Sequence, residues 1–231
     1  MERIELNQNT VNALFSRYKD KDCKQGQTGY VFKMDSTYCF KIISDFFDDL
    51  KEQRPVILTP QREKFTTLVE SFDSIRNDLS VDLPLGLLTY NGVPIGDYQK
   101  YHKGYKTLQK VIKNQDLNPS KKIIVFEYLL SLLKEFEKVG FIYEDFHWKN
   151  VLLKGNRVKL IDFDDINFNG IKPSNVCISY ERFLMFIAAV SENDTLREEI
   201  ESYIDIPGIN SRKYTQTVCE DAISMYKRLV K

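Results

Sequence analysis

The sequence predicts an α+β protein in which a β-rich first half carrying one helix comes before a helical second half. Short runs of aromatic and β-branched residues flank tight turns in the first half, which is typical of β-hairpins. In the second half apolar residues recur mainly at spacings of three and four, as on helices with one buried face. The predicted boundary divides the chain into two domains, residues 1–98 and residues 99–231.

The first half carries clear signals for a helix start and for a hairpin. Thr59 can cap a helix and Pro60 suits its first turn, so a helix is expected to begin there. Asn91-Gly92 is a strong hairpin signal, because both residue types accept the backbone of a type I′ turn. The elements expected here are a helix around Val11–Tyr18, strands at Tyr30–Met34 and Tyr38–Ile43, the helix from Thr59, and strands at Leu85–Tyr90 and Val93–Tyr98.

The strongest helix signal opens the second half. Pro119-Ser120 begins it, a stripe of Leu and Phe residues follows, and Gly140 is suited to end it. Two short apolar strands come next, and the chain is then predicted to be helical with one interruption. These later elements are strands at Val151–Leu153 and Val158–Ile161 and helical segments from about Val176, interrupted at Ile206-Pro207-Gly208.

Composition excludes several classes of function. The 33 basic and 33 acidic side chains cancel, whereas nucleic-acid-binding proteins usually carry a basic excess. The beginning of the sequence lacks the apolar stretch of a signal peptide, and no run of 18 apolar residues could span a membrane. A cytoplasmic protein is expected, although secretion by a route without an apolar signal stays open. The four scattered cysteines predict reduced thiols and no zinc site.

The pattern that carries chemistry lies between residues 142 and 165. An acidic residue, Asp145, follows the long helix, Asn150 comes five residues later, and Asp162 comes after two short strands. Phosphoryl transfer needs oxygen ligands for metal ions and a carboxylate beside the attacking hydroxyl. This segment resembles the D-x-x-x-x-N and D-F-G elements of the protein-kinase-like superfamily. The resemblance implies a minimal, bilobal kinase-like fold with a small β-rich N-lobe and a helical C-lobe.

The resemblance also implies roles for these residues, with ATP and Mg²⁺ as cofactors. Asp145 would accept or orient the substrate hydroxyl proton, while Asn150 and Asp162 would bind magnesium. His147 and the Asp164 carboxylate make the motif more similar to aminoglycoside, choline and homoserine kinases and to lipopolysaccharide-core sugar kinases. Asp164 is equally compatible with a metal ligand and with a solvated turn residue.

The first half should supply the phosphate-binding loop and a lysine. Gly26 and Gly29 resemble the glycine-rich loop, with Lys24 in place of its first glycine, and Val31 resembles the valine that follows it. Lys41, a cation within an apolar strand, resembles the lysine that contacts the α- and β-phosphates. The alternative for Lys41 is an edge-strand lysine on a solvated face.

In the resembled enzymes that lysine pairs with a glutamate on the next helix. Glu63 is the preferred candidate here, although Glu63 and Glu70 both lie roughly opposite the apolar stripe of that helix. Gln61 lies nearer the stripe but carries no charge. The choice among the three stays open, and a chain in which no carboxylate reaches Lys41 would be weakly active or inactive.

The function expected from the sequence is transfer of the ATP γ-phosphate to a hydroxyl on a small molecule, a sugar-containing lipid or a protein. Nothing resembles the peptide-docking segment that protein kinases carry after D-F-G, and only 66 residues follow Asp165. A pseudokinase-type module that binds nucleotide or protein without turnover is the alternative. A nucleotidyl transferase on the same scaffold is a third possibility.

Overall fold

The computed structural model divides the chain into two compact units, of which the first is Met1–Asn77 with Asp82–Lys103 and the second is Asp78–Val81 with Gly104–Lys231. Together they form an α+β protein with a β-rich N-terminal sheet and a helical C-terminal part. The residues that the structure describes are 2–25, 29–163, 166–167, 173–204 and 215–231.

A six-stranded sheet forms the frame of the first unit. Its strand order is β1-β5-β6-β4-β3-β2, with β1 parallel to β5 and the other pairs antiparallel. The elements of this unit are β1 (Glu2–Glu5), α1 (Gln8–Lys19), β2 (Lys24–Gln25), β3 (Gly29–Lys33), β4 (Tyr38–Ile43), α2 (Ser44–Lys51), α3 (Pro60–Ile75), β5 (Gly86–Tyr90) and β6 (Val93–Lys100), and a 3₁₀ turn, Arg76–Asp78, runs into the second unit.

An apolar core lies against one face of this sheet. Phe32 and Ile42 point to that face and are fully buried, together with Phe46 and Phe47 of α2. The ring of Phe47 stacks on that of Tyr18 in α1, with centroids 4.7 Å apart. Aromatic pairs of this kind add to the apolar area that helix and sheet bury together. The core therefore fixes β4, the strand that carries Lys41.

Helix α3 is anchored by a buried arginine. Thr59 caps it as predicted, since its hydroxyl accepts from the backbone N–H of Arg62. The guanidinium of Arg62 is fully buried and donates to Asp49 of α2 at 2.8 Å, with Asp45 at 3.3 Å. Burying an ion pair is tolerated when the partners satisfy each other's charge. These contacts fix the first turn of α3 to α2.

The second unit is mainly helical and carries two small sheets. Asn118 caps its longest helix, and Gly140 follows that helix with a φ of +71°. One sheet has the order β10-β9-β7 and the other pairs β11 with β8. The elements are β7 (Lys106–Thr107), α4 (Leu108–Lys113), α5 (Pro119–Lys138), β8 (Ile142–Tyr143), β9 (Val151–Lys154), β10 (Arg157–Leu160), β11 (Ile166–Asn167), α6 (Pro173–Ser191), α7 (Asp194–Ile204) and α8 (Gln216–Leu229).

The predicted helices and hairpins are confirmed, with shifts of a few residues at their ends. Strands β1, β2, β7, β8 and β11 and helices α2 and α4 were not predicted. The predicted interruption at residues 206–208 lies outside the described residues. Within the described part of the chain, no helix has the length and apolar character needed to cross a lipid bilayer.

Candidate functional site

The hairpin of β9 and β10 brings two of the predicted site residues to one end. Val151 of β9 pairs with Leu160 of β10, and the ladder continues by one bond, because the N–H of Ile161 donates to the carbonyl of Asn150 at 2.9 Å. Asn150 therefore lies beside Ile161, and Asp162 follows directly. The eleven residues between Asn150 and Asp162 are folded back on themselves as a hairpin.

Asp145 joins this end of the hairpin through its side chain. The Nδ2 amide of Asn150 donates to Oδ2 of Asp145 at 2.6 Å and to the Asp145 carbonyl at 3.2 Å. The N–H of Asn150 also donates to the carbonyl of His147 at 2.8 Å, which closes the loop between them. Asn150 is buried and Asp145 is partly exposed. A buried amide thus holds one oxygen of a carboxylate that solvent can reach.

Asp162 has a left-handed backbone, with a φ of +67°. Asp and Asn adopt this region more often than other non-glycine residues, but it still costs about 1–3 kcal/mol. The other described non-glycine residues with positive φ follow helix ends or lie in a hairpin turn; they are Lys21, Gln53, Asn91, Gln115 and Glu192. Asp162 has neither setting. Residues held in such backbone conformations cluster at functional sites.

Tyr143 connects the loop of Asp145 to the segment before Asp162. Its hydroxyl donates to the carbonyl of Ile161 at 3.2 Å, and its N–H donates to the hydroxyl of Ser179 in α6. Its ring packs against Phe163, with centroids 5.8 Å apart. Tyr143 thus supports the segment that leads into Asp162.

Lys41 is in the first unit, on a central strand. It is only 5% exposed, so the alternative of an edge lysine on a solvated face is wrong. In the sheet register Lys41 lies between Val31 of β3 and Asp97 of β6. Asp97 is 1% exposed. Residues directly opposite each other on antiparallel strands share one face of the sheet, so a buried lysine and a buried aspartate are direct neighbours there.

The thiol of Cys39, two residues before Lys41, lies on the same face. Burial raises the pKa of Cys39 to about 11; the charge of Asp97 adds to the rise, and Lys24 and Lys41 oppose it. This face of the sheet therefore combines an apolar environment with two opposite charges.

The remaining first-unit predictions have different outcomes. Gly29 begins β3, and a Cβ atom there would lie 2.2 Å from the carbonyl oxygen of Ile42, so close strand packing already requires glycine. Gly26 lies outside the described residues, as does Asp164 of the second unit. The roles assigned to Gly29 and Val31 in nucleotide binding stay predictions.

Glu63, Gln61 and Glu70 all have exposed side chains on α3. Glu70 forms an ion pair with Arg3 at 2.5 Å. The pairing of Glu63 with Lys41 stays a prediction. Sequence reasoning missed Asp97, although the signal resembled that of Lys41: a charged residue within the apolar strand Val93–Lys100.

Phe146 and His147, in the loop between Asp145 and Asn150, have different surroundings. Phe146 packs against Phe183 of α6 at a centroid distance of 5.4 Å. His147 is exposed, and its Nδ1 accepts from the N–H of Lys149 at 3.2 Å.

No protein-family model matches the chain, and no curated protein matches it either.

Proposed function

We propose that this protein is an ATP- and Mg²⁺-dependent phosphotransferase with a bilobal, protein-kinase-like fold. The observation that carries the proposal is the bond between Asn150 and Asp145 at the end of the hairpin from which Asp162 emerges. A carboxylate, a carboxamide and a second carboxylate are there held by one small piece of backbone. This is the set of groups that phosphoryl transfer requires of a protein.

The chemistry of these side chains suits magnesium. Mg²⁺ prefers oxygen ligands and is usually bound by one or two carboxylates together with substrate phosphates. The Nδ2 nitrogen of Asn150 donates to Asp145, so the Oδ1 oxygen of Asn150 points away from Asp145. Asn150 and Asp162 are the residues that would hold the ion. When bound, Mg²⁺ would neutralise phosphate charge as the leaving group departs.

The reaction proposed is an in-line displacement. The acceptor hydroxyl oxygen forms a bond to the γ-phosphorus, the bond from that phosphorus to the β–γ bridging oxygen breaks, and ADP leaves with the electron pair. The hydroxyl proton passes to Asp145, whose position at the solvent-accessible side of Asn150 suits a proton acceptor. Lys41 is assigned to the α- and β-phosphates.

A nucleotide-binding module without turnover is the second candidate. The observation that favours it is the exposed side chain of Glu63, the residue expected to hold Lys41. The intact set of Asp145, Asn150 and Asp162 favours the enzyme.

The deciding experiment measures ATP binding by thermal shift and ADP release with and without Mg²⁺. The wild-type chain should bind ATP in a Mg²⁺-dependent manner and release ADP, and Asp162→Ala should lose the Mg²⁺-dependent part of binding. Asp221→Ala, an exposed aspartate on α8, is the matched control and should behave as wild type. Mg²⁺-dependent binding without any turnover would favour the second candidate. Binding that is unchanged in Asp162→Ala would remove the metal role.

A further inference from the structure

Basic side chains are concentrated in two segments of the second unit, one of which carries Asp145. Residues 104–116 and 144–160 together contain seven lysines and arginines but only three acidic residues, in a chain whose total charges cancel. Lys106, Lys110, Lys113, Lys149 and Arg157 of this set are exposed. The neutral total thus conceals a local positive region in the second unit.

Two backbone contacts bring these cations together. The N–H of Gln109, at the start of α4, donates to the carbonyl of Trp148 at 3.1 Å. Lys110 and Lys149 are the immediate neighbours of these two residues, so the backbone segments that carry the two lysines lie side by side. Lys106 enters from the adjacent strand, since it pairs with Leu153 of β9. Lys149 is four residues after Asp145 and directly before Asn150.

Three lysines of this set are without an ion-pair partner among the described residues. None of Lys106, Lys110 and Lys149 forms an ion pair with another residue in the part of the chain that the structure describes. Two lysines elsewhere in the second unit are paired, Lys134 with Glu220 at 2.8 Å and Lys227 with Glu127 at 2.5 Å. Like charges held close together repel one another unless an anion lies between them. The region beside Asp145 is therefore suited to a negatively charged ligand.

We infer that the acceptor is a hydroxylated small molecule that already carries a phosphate group, which Lys110 and Lys149 bind while its hydroxyl faces Asp145. The inference rests on the proposed function and assigns the substrate class of that site. Lysine binds phosphate as a compact point charge with rotatable donors, so several lysines can serve one phosphate without a rigid frame. The recognised chemistry is the same whether the phosphate belongs to a free sugar phosphate or to a lipid headgroup.

The test compares phosphate-bearing acceptors with their neutral counterparts. Inositol monophosphate and glucose 6-phosphate are offered beside inositol and glucose, and vesicles containing phosphatidylinositol beside vesicles containing the neutral lipid glucosyl diacylglycerol. Transfer from labelled ATP should require the phosphate-bearing compound, and rising salt should weaken it, since exposed charges are screened. The soluble arm and the vesicle arm distinguish the two sources. An acidic peptide labelled in preference to every sugar phosphate would overturn the inference.

The variant Lys110→Gln/Lys149→Gln should raise KM for the phosphate-bearing acceptor about tenfold with little change in kcat, as expected from two exposed charge contacts. Lys134→Gln, on the α5–α8 face, is the matched control and should leave KM unchanged. Equal KM in the double variant and wild type, or equal use of neutral sugars, would overturn the inference.

A binding measurement without nucleotide tests this inference separately from the proposed function. Calorimetry should detect inositol monophosphate binding to wild type and to Lys41→Met, and its loss in the double lysine variant. Binding of this kind without any ATP turnover would refute the phosphotransferase while leaving the anionic site in place. ATP turnover, together with inositol monophosphate binding that is equal in wild type and the double lysine variant, would refute the anionic site and leave the phosphotransferase in place.

Discussion

The side-chain amide of Asn150 donates to Oδ2 of Asp145 over 2.6 Å. A hydrogen bond to an ionised carboxylate is shorter and stronger than one between neutral groups, so this contact restrains both side chains. Asp145 keeps its second oxygen for another partner, and the Asn150 amide has one orientation. The five-residue spacing in the sequence thus has a physical meaning, since it is the spacing that lets the loop close on this bond.

Asp145→Asn should nearly abolish phosphate transfer while ATP affinity stays close to that of wild type. Asparagine keeps the shape and can still accept from Asn150, but it cannot take up the hydroxyl proton. Loss of a positioned base costs about 10²–10⁴-fold in rate. The measurement is kcat with labelled ATP beside a nucleotide-binding curve. Glu144→Gln, the neighbouring carboxylate, is the control, and a kcat for Asp145→Asn equal to that of this control would contradict the role.

Tyr143→Phe should reduce kcat and raise the Mg²⁺ concentration needed for half-maximal rate. The ring would still pack on Phe163, but Ile161 would lose the hydrogen bond that supports the segment before Asp162. The free energy of unfolding should fall by only about 1 kcal/mol, the usual net worth of one hydrogen bond.

Tyr90→Phe provides the comparison, because it removes a hydroxyl that donates to Gln8 in the first unit. Equal Mg²⁺ dependence in the two tyrosine variants would show that Tyr143 contributes to stability alone.

Local signals in the sequence were enough to predict the hairpins and the long helices. Asn91-Gly92, Thr59-Pro60 and the pair Pro119 and Gly140 each specify a turn or a helix end through the backbone conformations that they favour. Such signals act over a few residues and need no knowledge of the rest of the fold. Strand β1 could not be found in this way, because it is four residues long and is stabilised by pairing with β5, more than 80 residues away.

The candidate residues likewise include some that are close in sequence and some that only the fold brings together. Asp145, Asn150 and Asp162 occur at short, fixed spacings, and the sequence could therefore predict them as a group. Asp97 is 56 residues from Lys41 and becomes its neighbour only through the register of β4 and β6. A helix partner for Lys41 was predicted from resemblance, whereas strand register, which a single sequence does not specify, placed a carboxylate opposite it.

The Cys39 thiol gives a pH-dependent prediction. Burial raises the pKa of Cys39 to about 11 from an ordinary value of about 9, with the charge of Asp97 as the second cause. Between these values the thiol of the unfolded chain ionises while that of the folded chain stays protonated, so stability is lost as pH rises. From pH 8 to pH 10 the free energy of unfolding of wild type should fall relative to that of Cys39→Ala by about 1 kcal/mol. Parallel stability curves for the two proteins across this range would show that the thiol is not shielded.

Variants of Lys41 and Asp97 can separate a structural role for the lysine from a catalytic one. Both side chains are buried and directly opposite each other. Removing one member of a buried pair of charges costs about 3–5 kcal/mol, because the other is left in an apolar environment. Lys41→Met and Asp97→Asn should each lower the free energy of unfolding. The double variant should be more stable than the sum of the single losses predicts, by about 1–3 kcal/mol.

Phosphate transfer should follow a different pattern across the same variants. The double variant leaves no unpaired buried charge but still lacks the cation proposed to face the phosphates, so its stability should partly recover while its kcat stays as low as that of Lys41→Met. Lys33→Met, an exposed lysine on the neighbouring strand, controls for loss of a positive charge and should leave both quantities unchanged. Strictly additive stability losses would show that Asp97 does not serve as the counter-charge of Lys41. If phosphate transfer recovered together with stability in the double variant, the role of Lys41 would be structural, and other cations would have to bind the phosphates.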